Sequence, residues 1–287
     1  MDRDRRRWCS GIAALAAAPL VARAARPRGG DPVRIGLTAV ILDDQAAFLE
    51  EWRGYLERQL RRPVRFLQRG TYRGITDLVR ERKLDFAWIC GAPFVRLRSQ
   101  ATLVAVPVFE GRPLYRSYLI AHRADDRTRF LDDLRGKVFA YSDPDSNSGH
   151  LYIQHRLLEM GEDARKFFGR TFFTWSHRNV VAAVADGLAQ GGAVDSHVWE
   201  TLRAQHPAQV LRTRVIEQSP EFGYPPIVAR SDLPPAELAA FRAVLLGMAE
   251  DAQGRQLLSR LNLDGFTLAD RSLFDGIARI TRALDAG

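Results

Sequence analysis

Cysteine and methionine are scarce in this chain, which holds 2 Cys and 3 Met among 287 residues. Neither Cys9 nor Cys90 stands in a His/Cys/Asp spacing that builds a structural zinc site, so no metal ligands are expected. Beyond the first 24 residues no apolar run is long enough to span a bilayer. No short-period repeat, low-complexity tract or long linker follows residue 31. Also missing is a nucleophile with a general base in reach, since Ser176 and His177 are neighbours in sequence and adjacency is not a catalytic geometry. That argues against an enzyme and against any cofactor. The formal charge of +8 is spread over stretches such as ERQLRRPVRF and RTRFLDDLRGK. A nucleic-acid binder more often concentrates its arginines on one motif, so a solvated basic surface is expected instead, with a modest field that attracts anions.

What is present begins with MDRDRRRWCSGIAALAAAPLVARA, a basic start, a short apolar stretch and a small-x-small ending at Ala22-Arg23-Ala24. This is the layout of a secretory signal peptide over residues 1–24, and Arg5-Arg6-Arg7 also suits twin-arginine export. Cys9 sits too early for a lipoprotein cleavage site, so a soluble periplasmic product is expected. Removing this leader takes five Arg and two Asp, lowers the charge from +8 to +5 and leaves Cys90 alone, without a partner for an intrachain disulfide.

The mature sequence alternates strands and helices. PVRIGLTAV, RPVRFLQ, LDFAWIC, ATLVAVPVF and PLYRSYLIAHR read as strands. Between them DDQAAFLEEWRGYLERQL and TYRGITDLVRERK carry apolar residues at helical spacing, Phe48, Trp52, Tyr55, Leu56 and Leu60 in the first and Ile75, Leu78 and Val79 in the second. The rhythm repeats in KVFAYSD, RTFFTW and GAVDS with their following helices, one of which places Val180, Val184 and Leu188 on one face. This pattern predicts an α/β fold with two mostly parallel sheets. Residues 31–122 with 211–287 form the first lobe, 123–210 an inserted second lobe, and two chain crossings make a hinge over a cleft.

In open sheets of this kind ligands sit beyond the carboxyl ends of the strands. The residues there include Thr38, Thr71, Tyr72, Cys90, Ser146, Asn147, Ser148, Gly149, His150, Ser176, His177 and Asp195, rich in hydroxyls and poor in acids. The stretch DPDSNSG leaves a strand, turns at Asp143-Pro144 and opens a helix near Ser148. The first N–H groups of a helix lack intrahelical partners and carry the positive end of its dipole, so hydroxyls, an amide and a glycine at this point make an anion cradle. The same residue types also serve as plain helix caps. RGTYRGI and TWSHRN repeat the arrangement, and three such helix starts facing one cleft favour the cradle. His150 and His177 stand at helix starts, where an imidazole can donate to an anion.

The segments IGLTAVILDD, RGTYRGITDLV, LDFAWICGAPFV, GRPLYRSYLI, LRGKVFAYSDPDSNSGHL, TFFTWSHRNVVAAVADG and GGAVDSHVWE, in that order over residues 32–230, resemble the PhnD-like phosphate, phosphite and phosphonate binding proteins of bacterial ABC importers. The resemblance implies a two-lobed periplasmic binding protein of type 2 topology that closes on an oxyanion. It implies that Ser146, Asn147 and Ser148 form the hydroxyl-rich helix start, with Asn147 where threonine is common. It also implies ligand roles for His177 and Asp195 and for a first-lobe tyrosine at Tyr72 or Tyr115, and both tyrosines are expected to close the cleft. The expected ligand set is therefore Thr38, Thr71, Tyr72, Cys90, Tyr115, Ser146, Asn147, Ser148, Gly149, His150, His177 and Asp195. The implied partners are a small phosphorus oxyanion and an inner-membrane permease, with the protein a monomer. Cys90 departs from the phosphonate binders, and some arsenite-sensing relatives carry a cysteine in this region. The alternative is thus a periplasmic oxyanion sensor that feeds a membrane histidine kinase. For Asp195, capping the helix that starts at Ser196 is set against accepting a proton from the ligand.

Overall fold

The computed structural model describes residues 30–38 and 46–286, so the expected leader at 1–24 lies outside the described residues. From the N-terminus the first unit runs β1 (Val33–Leu37), α1 (Ala46–Leu60), β2 (Val64–Gln68), α2 (Tyr72–Arg80), β3 (Phe86–Trp88), α3 (Gly91–Leu97) and β4 (Ala101–Val108). The connection β5 (Leu114–Tyr115) leads into β6 (Ser117–His122), β7 (Val138–Tyr141), α4 (Tyr152–Glu159), α5 (Ala164–Phe167), β8 (Arg170–Phe173), α6 (His177–Ala185), β9 (Gly191–Asp195), α7 (Ser196–Gln205), α8 (Pro207–Val210) and β10 (Thr213–Gln218). The chain returns through β11 (Phe222–Gly223) to β12 (Ile227–Arg230), α9 (Pro235–Leu246), α10 (Ala252–Leu261), β13 (Gly265–Thr267) and α11 (Asp275–Ala286).

Apolar periodicity explains the helices that flank the first sheet. Phe48, Trp52, Tyr55 and Leu56 of α1 and Ile75 and Val79 of α2 are buried, whereas Leu78 is only partly so. Trp88, beside a strand end, donates its indole N–H to the Pro225 carbonyl at 3.0 Å and packs on Trp52 and Phe266 as core. On α6 Val180 and Val184 face inward, but the helix ends at Ala185 and Leu188 is 67% exposed. Gly187, at φ +74, turns the chain out of the helix before Leu188 can join that face.

The two sheets are mixed rather than mostly parallel. The six-stranded sheet has the order β13-β4-β12-β3-β1-β2, and only β1 with β2 and β1 with β3 pair in parallel. The five-stranded sheet has the order β10-β6-β9-β7-β8, parallel where β7 meets β8 and β9 and antiparallel at β6. β6 and β12 bring the chain into a sheet from its cleft end and so run against the strands beside them, and β10, which leaves the second sheet, is antiparallel to β6.

Pairing also moves the lobe boundaries. β6 and β10 pair with each other and with β9, and so belong to the second sheet, not to the first lobe as the expected limits at 122 and 211 had them. A strand joins the sheet that satisfies its backbone groups, and that choice is not written in its own hydropathy. The crossings therefore fall beside the short ribbon β5–β11, where Phe222 opposes Tyr115. Ser219 ties the crossings together: its hydroxyl accepts from the Ser117 N–H at 2.8 Å and its N–H donates to the Ser117 carbonyl at 3.0 Å.

The lobes touch on both sides of the cleft. On one side the Tyr72 N–H donates to Asp143 Oδ2 at 3.0 Å, and Asp145 pairs with Arg96 at 3.0 Å and Arg73 at 3.6 Å. On the other, His197 Nε2 meets the Asn262 carbonyl at 3.1 Å and the Asn262 amide donates to Thr201 Oγ1 at 3.0 Å. Helix α11 packs against both α3 and α4, bridging the lobes from behind.

Candidate functional site

At the carboxyl end of β7 the chain makes the turn Asp143–Asp145 and opens α4 with one π turn, Asn147–Leu151. The Leu151 N–H reaches the Ser146 carbonyl at 2.9 Å, five residues back. A π turn is wider than an α turn and occurs often at functional sites, because it spreads the first N–H groups and side chains apart. Ser146, Asn147, Ser148 and Gly149 are all buried here. The absence of a side chain at Gly149 is structural: a Cβ there would lie 1.9 Å from Ser142 Oγ and 2.9 Å from His177 Cε1. The glycine thus admits neighbouring side chains rather than opening the backbone to a ligand.

Ser146 and His177 form a coupled pair with a defined proton order. The Asp195 N–H donates to His177 Nδ1 at 3.1 Å, which fixes the ring proton on Nε2. Nε2 lies 3.4 Å from Ser146 Oγ, which also accepts the Gly149 N–H at 3.0 Å. With its oxygen so engaged, the Ser146 hydroxyl retains a proton to give. Burial holds the His177 imidazole neutral, with its pKa pushed down to about 3, so it offers a hydrogen bond and not a charge.

Asp195 caps α7: Oδ1 accepts from the His197 N–H at 2.8 Å and the Val198 N–H at 3.4 Å. Burial raises this carboxyl to about 7, against an ordinary value of 3.8, and the two N–H bonds offset only part of that. Tyr72, Tyr115 and Tyr224 are each buried and held well above the usual phenol range, chiefly by desolvation, so all three are neutral hydroxyls. Cys90 Sγ accepts the Asn147 N–H at 3.4 Å across the lobes, and burial pushes its thiol up to about 11.

Four side-chain atoms in this region are buried without a hydrogen-bond partner: Tyr72 Oη, Ser142 Oγ, Asn147 Oδ1 and Ser148 Oγ. An orphaned buried polar group costs about 1–3 kcal/mol, and four in one place are unusual for a folded core. Asn147 Nδ2 donates to Tyr115 Oη at 3.0 Å. Half a turn of that amide lets Tyr115 donate to Oδ1 and frees the NH2, so one amide atom is available in either orientation.

Tyr72, Cys90, Tyr115, Ser146, Asn147, Ser148, His177 and Asp195 are brought together at the cleft. Thr38 and His150 are already engaged elsewhere, and Thr71 serves as a helix cap. Thr38 donates to the Trp88 carbonyl at 3.2 Å, and Thr71 accepts the Gly74 N–H at 3.1 Å as the cap of α2. His150 Nδ1 meets the Pro144 carbonyl at 2.8 Å, and its ring packs on Tyr141 and Phe173. It lies three residues past Asn147, where the turn has rotated away from the cleft. Sequence reasoning missed Tyr224 and Ser142. Tyr224 stacks edge-on with Tyr115 and His197 and feels the charge of Asp195. Its only signal was the sequence GYPP after the return crossing. Ser142 lay within the hydroxyl-rich stretch, one residue before the turn. Among the described residues no group of three or more His, Cys, Asp or Glu is arranged to hold a metal ion.

Residues 39–274 match the family described as ABC transporter, phosphonate, periplasmic substrate-binding protein. The chain is 23% identical over 242 residues to the probable ABC transporter phosphite binding protein PhnD1 of Prochlorococcus marinus, covering 80% of this chain and 82% of that protein. The structure of PhnD1 in complex with methylphosphonate superposes with a TM-score of 0.80 at 21% identity, over 88% of this chain and 98% of the other. A binding protein component of an ABC phosphonate transporter from Pseudomonas aeruginosa gives 0.79 at 23% identity, over 87% and 85% of the two chains. These neighbours share the two-lobed type 2 architecture described above. The chain belongs to the family of periplasmic substrate-binding proteins of phosphonate ABC transporters.

Proposed function

We propose that the cleft captures a small phosphorus oxyanion, a phosphonate, phosphite or phosphate, and delivers it to an inner-membrane ABC permease without chemical change. The observation that carries this reading is the cluster of partnerless buried atoms at the π turn of α4, beside the Ser146 hydroxyl and the neutral His177. Hydroxyls and neutral N–H groups bind an anion without a formal countercharge, and the helix start adds its dipole. The phosphite-binding name of PhnD1 and its methylphosphonate complex support the same ligand class.

Asp195 narrows the class. Its second carboxylate oxygen suits a ligand that presents a proton, as P–OH or as the ammonium of an aminoalkylphosphonate. Sulfate has no proton to give and meets repulsion there once Asp195 is ionised, above its pKa of about 7. The sensor alternative needs Cys90 to ligate the anion's central atom, and Cys90 is the only cysteine among the described residues, so it would have to do so as a lone thiol. The mature protein begins after residue 24, is periplasmic and acts as a monomer.

The test is a thermal-shift and calorimetry panel on the mature protein with methylphosphonate, phosphite, phosphate and sulfate. A cognate ligand at 100 times its Kd adds roughly 2.7 kcal/mol of stability. Failure of all three phosphorus ligands to shift the melt at millimolar concentration would falsify the reading.

A further inference from the structure

Cys90 is 3% exposed and sits where the first turns of two helices from different lobes meet: it is the N-cap residue of α3, and its Sγ accepts the Asn147 N–H that opens the π turn of α4. Around it stand polar atoms that have no partner in the protein. Tyr72 Oη is one, in a side chain 1% exposed that packs in the same buried cluster as Cys90, and Asn147 Oδ1 is another, in a side chain with no exposure. These orphaned groups mark the space next to the thiol as ligand space rather than core.

We infer that Cys90 is a specificity-determining residue: its sulfur takes up the Asn147 N–H, withholding that donor from a fourth ligand oxygen, and presents a soft, weakly polar surface to the substituent of phosphorus that is not oxygen. The inference rests on the oxyanion reading of the cleft. A protonated thiol is a weak donor and a weak acceptor. Its pKa of about 11 keeps it in that form at neutral pH. Sulfur packs well against a P–H or P–CH3 group, to which it owes no hydrogen bond. A fourth oxygen in the same place would be buried against a poor donor, with the Asn147 N–H already spoken for. Leaving one such acceptor unsatisfied lowers affinity by about tenfold or more. The site therefore selects three-oxygen phosphorus anions, phosphite and small phosphonates, over the tetraoxyanions phosphate and sulfate.

The experiment is calorimetry of wild type, Cys90→Ser and Cys90→Ala with methylphosphonate, phosphite, phosphate and sulfate. Wild type is expected to prefer methylphosphonate or phosphite over phosphate by about tenfold or more. Cys90→Ser supplies a hydroxyl that donates to a fourth oxygen, and the ratio is expected to narrow by about tenfold. Cys90→Ala frees the Asn147 N–H and narrows it in the same direction, so a poorly folded serine variant does not leave the matter open. A wild type that binds phosphate as tightly as phosphite, or a ratio that neither substitution moves, overturns the assignment of Cys90 while the oxyanion reading stands. Absence of binding by all four anions to wild type overturns the oxyanion reading itself and this inference with it.

Discussion

The starts of α2 and α4 carry similar sequence signals and meet different ends. Each follows a strand, and each presents a hydroxyl and a glycine at a helix start, GTYRG in one and SNSG in the other. At α2 the Thr71 hydroxyl caps its own helix through the Gly74 N–H and is partly open to solvent. At α4 the Ser146 hydroxyl also caps, through the Gly149 N–H, but it lies fully buried beside His177, and the next two residues bury polar atoms with no partner. Capping and ligand binding are thus not rival readings of one residue type. The first is settled by local geometry, the second by whether surrounding elements close over the turn and leave groups unsatisfied.

That contrast is open to direct attack. The largest effect is expected from Ser146→Ala combined with Ser148→Ala, which removes two hydroxyl donors at the π turn. Hydrogen bonds to charged groups contribute about 1.5–3 kcal/mol each, so affinity should fall by well over tenfold, and a Kd unmoved in calorimetry would return both serines to capping alone.

Asp195→Asn tests the other end of the same site. Folding raises the Asp195 pKa from 3.8 to about 7, so the folded protein keeps a proton that the unfolded chain releases. The stability this contributes is complete below pH 3.8 and is lost as the pH rises through about 7. Asparagine still caps a helix and does not titrate. Wild type should therefore lose stability relative to the variant across that window, by more than the ~1.4 kcal/mol that one pKa unit represents. Parallel stability curves for the two proteins from pH 4 to 8 would show that Asp195 is ionised throughout.

A smaller change is expected at the seam between the lobes. Asp145→Ala breaks the pairs with Arg96 and Arg73 that join the α4 turn to the first lobe. Half-exposed pairs contribute about 0.2–1 kcal/mol, which predicts a few-fold weaker ligand binding at low salt through a destabilised closed form. The difference should shrink as salt rises, and scattering should show a larger radius of gyration for the unliganded variant. Equal affinities at every ionic strength would mean that these pairs form only after closure is already secured.

Thr71→Ala sharpens the comparison from the weak side. Loss of an N-cap costs about 1 kcal/mol of stability, while affinity should stay within about twofold of wild type. A tenfold loss of affinity would move Thr71 into the ligand site and make the two helix starts equivalent after all.

Much of the first lobe was legible in the order of its residues. Phe48, Trp52, Tyr55 and Leu56 recur at helical spacing and are buried on one face of α1, because a 3.6-residue period leaves little else for them to do. The hydroxyl-rich stretch after β7 announced a helix start for the same local reason: Ser146 caps with its own side chain. Short elements such as β13, three residues long, carried too little period to be read.

What only the tertiary structure decided is pairing. β6 and β10 look like any other half-buried strands, and they join the second sheet because their backbone groups find partners there. The proton on His177 Nε2 is set by an N–H from Asp195, eighteen residues away. Cys90 faces Asn147 across two lobes, 57 residues apart in sequence. Local sequence determines what each segment can become, because propensity and capping act over a few residues. The site arises where groups distant in the chain converge and desolvate one another, and burial of that kind belongs to the assembled fold.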